Sequence, residues 1–136
     1  MNNTEQTLSI IKPDAVERNL ENEIKQIFKD KGFQVIKEKK IQIEKSEAEN
    51  FYKVHETKPF YNDLCAYLSS GPIIVMILEG ENAVFANRKL MGATNPKEAE
   101  EGTIRKKFGI SIDKNSVHGP DSPENAKIEI DFFFKD

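Results

Sequence analysis

Pro72-Ile-Ile-Val-Met-Ile-Leu78 is the longest apolar run of the chain, and its reading decides the fold class. A membrane-spanning helix needs about 20 apolar residues, so this run is far too short to be one. It does not alternate with polar residues, so it reads as a strand buried on both faces. Ser69-Ser-Gly-Pro72 makes a turn ahead of it. Asn82 opens a helix behind it that carries Val84, Phe85, Arg88 and Leu90.

The flanking segments fall into strands and helices in turn. Upstream, Asn62 caps a short helix with Leu64, Cys65 and Leu68, set off by the break Lys58-Pro59-Phe60. Ser46 with Glu49 three residues on has the form of a capping box, and starts a helix through Phe51-Tyr52. Val35, Ile36, Ile41 and Ile43 mark a strand whose lysines face solvent. Leu20, Ile24, Ile27 and Phe28 share one helical face, closed by Gly32 in the C′ position. Thr7-Leu-Ser-Ile-Ile11 is a first strand, cut off by the turn-forming Lys12-Pro13-Asp14.

Downstream, periodicity lapses over 92–102, and a segment of that length without pattern is more often functional than accidental. A helical turn with Arg105 and Phe108 follows, then a strand within 110–117. Ser122-Pro-Glu starts a last helix: N-cap serine, proline at N1, acid in the first turn. Ile128, Phe132 and Phe134 supply its apolar side. The alternation predicts an α+β ferredoxin-like sandwich, one antiparallel sheet covered by helices with a βαββαβ core. A short doubly wound sheet would show a similar alternation.

The 136 residues fit a single domain, 1–136, without linker or repeat. Twenty basic residues against 23 acidic give a net charge of -3, which argues against nucleic-acid binding by bulk charge. The lone Cys65 excludes an intramolecular disulfide and a cysteine-built metal site, and fits a reducing compartment. The start Met1-Asn-Asn-Thr-Glu-Gln has no secretory pattern, so the expected location is cytoplasmic, with no membrane partner.

Chemistry must come from scattered residues, because neither a P-loop nor a G-x-G-x-x-G run occurs. His118 lies between a strand and a well-capped helix, and Gly119 beside it would let a ligand approach closely. A neutral imidazole attacks phosphorus when its other nitrogen is held, and Glu129, one helix later, is placed to hold it. Read alone, His118 is more readily a polar loop histidine. His55, amid charges in Lys53-Val-His-Glu-Thr-Lys58, reads as a solvated surface residue. Lys12, Arg88 and Arg105 sit at chain breaks, and would clamp a triphosphate if they converged on His118. Phe60 reads equally as a base-stacking ring or a satellite core residue.

Asn115-Ser-Val-His-Gly-Pro-Asp-Ser122 closely resembles the signature N-x-x-H-G-S-D-S of nucleoside diphosphate kinases. Ile10-Ile-Lys-Pro-Asp-Ala15, His55 to Phe60, Ser70-Gly-Pro72, Leu78-Glu-Gly-Glu-Asn-Ala83, Met91-Gly-Ala-Thr-Asn-Pro96 and Gly102-Thr-Ile-Arg105 also resemble family motifs, in family order. The resemblance implies transfer of the γ-phosphate of a nucleoside triphosphate to a nucleoside diphosphate, ping-pong, through a phosphohistidine on His118. It implies Glu129 as the orienter and Lys12 as a catalytic cation. Lys12, Tyr52, Arg88, Thr94, Arg105 and Asn115 become phosphate and ribose contacts. Phe60 and Ile112 hold the base, beside Leu64, with broad base tolerance. Asp121 stands near the metal and phosphates, with Mg²⁺ arriving on the nucleotide, and a homo-oligomer (tetramer or hexamer) is implied. Pro120 departs from the family serine and removes a hydroxyl and an N–H beside His118, which predicts retained but reduced turnover, since nucleophile, orienter and clamps persist.

Overall fold

The structure is a computed structural model that describes residues 4–111 and 114–134. Four strands, β1 (Thr4–Ile11), β2 (Gln34–Ile41), β3 (Ile73–Glu81) and β4 (Val117–His118), form one sheet in the order β2-β3-β1-β4. All three pairings are antiparallel. This order and the helical crossovers make it a ferredoxin-like α+β sandwich, as the alternation predicts.

The apolar run becomes β3, and its burial on both faces has a plain cause. Ile74, Met76 and Leu78 point to one side, where helices α1 (Pro13–Glu17), α2 (Glu21–Asp30), α5 (Ala83–Met91) and α6 (Ile104–Phe108) pack with Ile24, Phe28, Leu90 and Ile104. Ile73 and Val75 point to the other, against α3 (Lys45–Phe51), α4 (Tyr61–Leu68) and α7 (Pro123–Phe133), through Ala48, Cys65, Leu68 and Phe133. β1 divides the same way, with Ile11 on the first side and Leu8 and Ile10 on the second.

Several local expectations shift. Lys12-Pro13-Asp14 starts α1 instead of merely turning, because Pro13 takes N1, where its missing N–H costs nothing. The capping box lies two residues early: Glu44 is the N-cap of α3, and its backbone N–H donates to Glu47 at 3.2 Å, while Ser46 sits inside the helix. Phe60, not Asn62, is the N-cap of α4. The strand of 110–117 shrinks to Val117–His118, and part of the remainder lies outside the described residues. The buried side of α7 is Ala126 and Phe133, with Ile130 against them, whereas Ile128 is 65% exposed and Phe132 39%. Those two side chains out of the core leave a part-apolar rim beside the cleft described below.

The α7 start is as read. The Ser122 hydroxyl accepts from the Asn125 N–H at 3.1 Å, and Pro123 occupies N1. Ser122→Ala is expected to lower unfolding stability by about 1 kcal/mol, the usual cost of a lost N-cap, read as a lower urea midpoint at unchanged slope.

Candidate active site

β1 ends at Ile11, and Lys12 follows under cover, with its Nζ donating to the Asn115 side-chain Oδ1 at 2.8 Å. Asn115 in turn donates to the Thr94 backbone carbonyl at 3.0 Å, so the loop after α5 is tied to the segment ahead of β4. Ser116 is buried at φ +75, and the Val117 N–H reaches back to the Asn115 carbonyl at 2.9 Å. This is a γ-turn of the strained, positive-φ kind. Its side chain is held: the Ser116 hydroxyl donates to Asp14 at 3.1 Å, and the Lys12 N–H donates to the Ser116 carbonyl at 2.8 Å. Asp14 is buried too, and also accepts from Arg18 at 3.0 Å and from the Tyr67 hydroxyl. Behind the turn, β4 sets His118 opposite Ile10.

The His118 imidazole meets Glu129 of α7, with Nε2 and Oε1 2.9 Å apart. A carboxylate can only accept, so Nε2 carries a proton and donates, and in the neutral imidazole the lone pair is then on Nδ1. Phe51 and Tyr52 flank the ring edge-on, with centroids at 5.3 Å and 5.9 Å.

A cleft of ≈ 650 Å³ opens in front of this pair. Lys12, Tyr52, Phe60, Leu64, Arg88 and Thr94 line it, as do Arg105, Asn115, His118, Asp121 and Glu129. Every site residue expected from the sequence therefore converges on one cleft, except Ile112, which lies outside the described residues. Such a cleft suits a small-molecule ligand in size.

Some of these groups already have work. Arg105 is buried; its guanidinium donates to the Gly92 carbonyl at 3.0 Å and to the Val117 carbonyl at 2.9 Å, and Nε has no partner. Burial, and then the neighbouring Arg88 cation, lowers its pKa to about 10, still charged at neutral pH. Tyr52 is buried with a hydroxyl that has no partner, and burial followed by Glu129 pushes its pKa well above the ordinary phenol. The Asn125 amide donates to Asp121 at 2.6 Å and lowers that exposed carboxyl below its usual range. Phe60 is 45% exposed, with His55 beside its ring at 5.9 Å between centroids and Lys58 Nζ over it at 5.8 Å.

Two residues enter that sequence reading passes over. His55, read as surface, lines the cleft from the 3₁₀ turn Lys53–His55, with Nδ1 buried and unpartnered. Burial first, then Lys58 and His118, depress its pKa. Phe51 lines the cleft beside it. The charged neighbours of His55 hide the first, and only the helical spacing from Ala48 points to the second. Gly119 also changes meaning. A Cβ there would land on Asn87 Nδ2 and 3.0 Å from Met91 Cε, so the glycine also lets α5 approach closely, while it still lines the cleft.

A model of the nucleoside diphosphate kinase family matches residues 5–136. Nucleoside diphosphate kinase from Campylobacter jejuni is 59% identical over 131 residues, covering 96% of each chain. That of Persephonella marina is 55% identical over 130 residues, with 96% of this chain and 93% of the relative covered. Among solved structures, the Aquifex aeolicus nucleoside diphosphate kinase superposes with a TM-score of 0.95 at 40% identity, covering 96% of this chain and 95% of that one. The Encephalitozoon cuniculi enzyme gives 0.94 at 38% identity, covering 97% and 90%.

Fold and cleft together define a nucleotide-binding phosphotransferase. The chain belongs to the nucleoside diphosphate kinase family and is an enzyme of that class.

Gly119→Ala is expected to force α5 and β4 apart, costing about 1–3 kcal/mol as other overpacking changes do. Urea unfolding and steady-state turnover would both fall.

Proposed function

We propose that His118 is the nucleophile of a ping-pong γ-phosphate transfer between nucleoside triphosphates and diphosphates. The carrying observation is the 2.9 Å contact between Nε2 and Glu129, which commits one imidazole nitrogen and leaves Nδ1 as the base. The Nδ1 lone pair attacks the γ-phosphorus, the P–O bond to the diphosphate breaks, and the diphosphate leaves with that electron pair. A second diphosphate then attacks the phosphohistidine and returns the imidazole, so one site serves both halves.

The chain's own cations supply the charge complement. Lys12, Arg88 and the remaining N–H groups of Arg105 face the phosphates, where fixed charges in a shielded cleft count for more than in water. The orphaned Tyr52 hydroxyl and Arg105 Nε are polar atoms that a bound phosphate or ribose would satisfy. Asn115 and Thr94 hold Lys12 in place through the bonds already described. Phe60 and Ile112 take the base by its two faces, with Leu64 lining the site, a grip that reads little of its edge and predicts broad base tolerance.

Among the described residues no group of three or more acidic, histidine or cysteine side chains could cage a metal ion. Asp121 offers a single carboxylate at the cleft. That donor set fits Mg²⁺ held mainly by nucleotide phosphates, with one protein contact. When bound, the ion would neutralise phosphate charge. The whole chain acts as one domain in this reading, supported by two cores that share one sheet. Homo-oligomers, tetramer or hexamer, are expected, and β2 supports this as an edge strand with one side of its backbone unpaired in the sheet. The buried free Cys65 is in keeping with a cytoplasmic setting, and the net charge of -3 with no nucleic-acid partner.

Incubation with γ-labelled Mg·ATP is expected to place acid-labile, base-stable label on the chain. A diphosphate should remove it, and His118→Ala should never acquire it. Nucleotide binding without label would instead favour a pure binding module, the reading that Pro120 recommends. Several different diphosphates should discharge the label at similar rates, and discharge by one base alone would sink broad tolerance.

Pro120 is buried, lines the same cleft and offers neither hydroxyl nor N–H. Pro120→Ser is expected to raise turnover, and unchanged turnover with unchanged phosphohistidine formation would show that the proline costs nothing.

A further inference from the structure

One hydrogen bond does not fix an imidazole. The ring can still rock about the line from Nε2 to Glu129, and rotation about Cβ–Cγ would exchange which nitrogen faces the cleft. Something else must hold its plane.

Phe51, the last residue of α3, is the group placed to do so. Its ring meets the His118 ring edge-on, at 5.3 Å between centroids and 72° between planes. The same ring packs on Phe132 at 5.4 Å and on Phe133 at 5.1 Å. Those two residues pack on each other at 5.0 Å, and both belong to α7, the helix that carries Glu129. Glu129 and the wall that confines the imidazole are thereby referred to one helix. Movement of α7 would carry hydrogen-bond acceptor and aromatic wall together.

Resting on the reading of His118 as phosphoryl acceptor, we infer that Phe51 is a positioning residue. It locks the imidazole with Nδ1 toward the γ-phosphate, through its contacts with Phe132 and Phe133. Tyr52 closes the ring at 5.9 Å from a second direction, but it also belongs to the substrate contacts, so its removal would not separate the two roles. Phe51 reaches the cleft, but its ring is packed against His118, Phe132 and Phe133. Its effect should fall on the chemical step and on the choice of nitrogen, not on binding.

The test uses the full chain, with Phe51→Leu as the main variant. Phe132→Ala is a second variant that trims the half-exposed ring behind Phe51 and leaves both buried cores intact. Rapid-quench labelling with γ-labelled Mg·ATP gives the rate of phosphohistidine formation. Phosphorus NMR in alkali separates phosphate on Nδ1 from phosphate on Nε2. The wild type is expected to carry phosphate on Nδ1 alone. Phe51→Leu should form phosphohistidine roughly ten-fold more slowly, as misaligned nucleophiles do. Its nucleotide KM should stay within about two-fold, and a measurable fraction of phosphate should sit on Nε2. Phe132→Ala should move the same way by less.

A role in packing alone would lower the melting temperature without changing the isomer ratio or the rate per folded molecule, and that result overturns the inference. Equal rates and a single isomer in both variants overturn it as well. A wild type that never acquires phosphohistidine would remove the nucleophile reading itself, a failure distinct from that of Phe51.

Discussion

Val117 pairs with Ile11 and His118 with Ile10, and this short antiparallel ladder sets His118 against the most deeply anchored strand. β1 also pairs along its whole length with β3, so it cannot move without breaking the centre of the sheet. The γ-turn at Ser116 brings the chain onto that strand at the cost of a backbone conformation most side chains avoid. Three bonds pin the turn: Ser116 to Asp14, Lys12 to the Ser116 carbonyl, and Val117 back to Asn115. Removing the ladder would free Asn115, His118 and the Val117 carbonyl that Arg105 grips.

Buried charge is therefore concentrated where it also sets geometry. Asp14 takes Arg18, Tyr67 and Ser116 as partners, which compensates a carboxylate that water does not reach. Arg105 bridges the Gly92 carbonyl and the Val117 carbonyl, joining the long loop to β4. The cleft is thus shaped by polar bonds inside the protein before any ligand arrives, and a preformed cleft wastes less binding energy on ordering.

How much of this the sequence declares depends on whether a residue acts by pattern or by place. β3 is legible because a strand buried on both faces must be apolar throughout. The α7 cap is legible because Ser-Pro-Glu has a local mechanism. Convergence of Lys12, Arg88 and Arg105 is not legible from spacing, since they come from three elements brought together only by the sheet; the resemblance to a family supplies it. His55 is hidden because its neighbours are charged, while a 3₁₀ turn swings it inward. The apolar side of α7 misleads because Ile128 and Phe132 look like core residues by type. Their exposure follows from Ala126, whose small side chain lets the opposite face of the helix seat on the sheet.

Cys65 lies on α4 with no surface exposed, and burial pushes its thiol pKa up. A thiol in that condition does not react while the chain is folded. It is the only sulfhydryl in the chain, so it serves as a built-in clock. The speed at which an alkylating reagent consumes it reports how often α4 lifts from the sheet. No probe need be engineered to follow that opening with and without nucleotide.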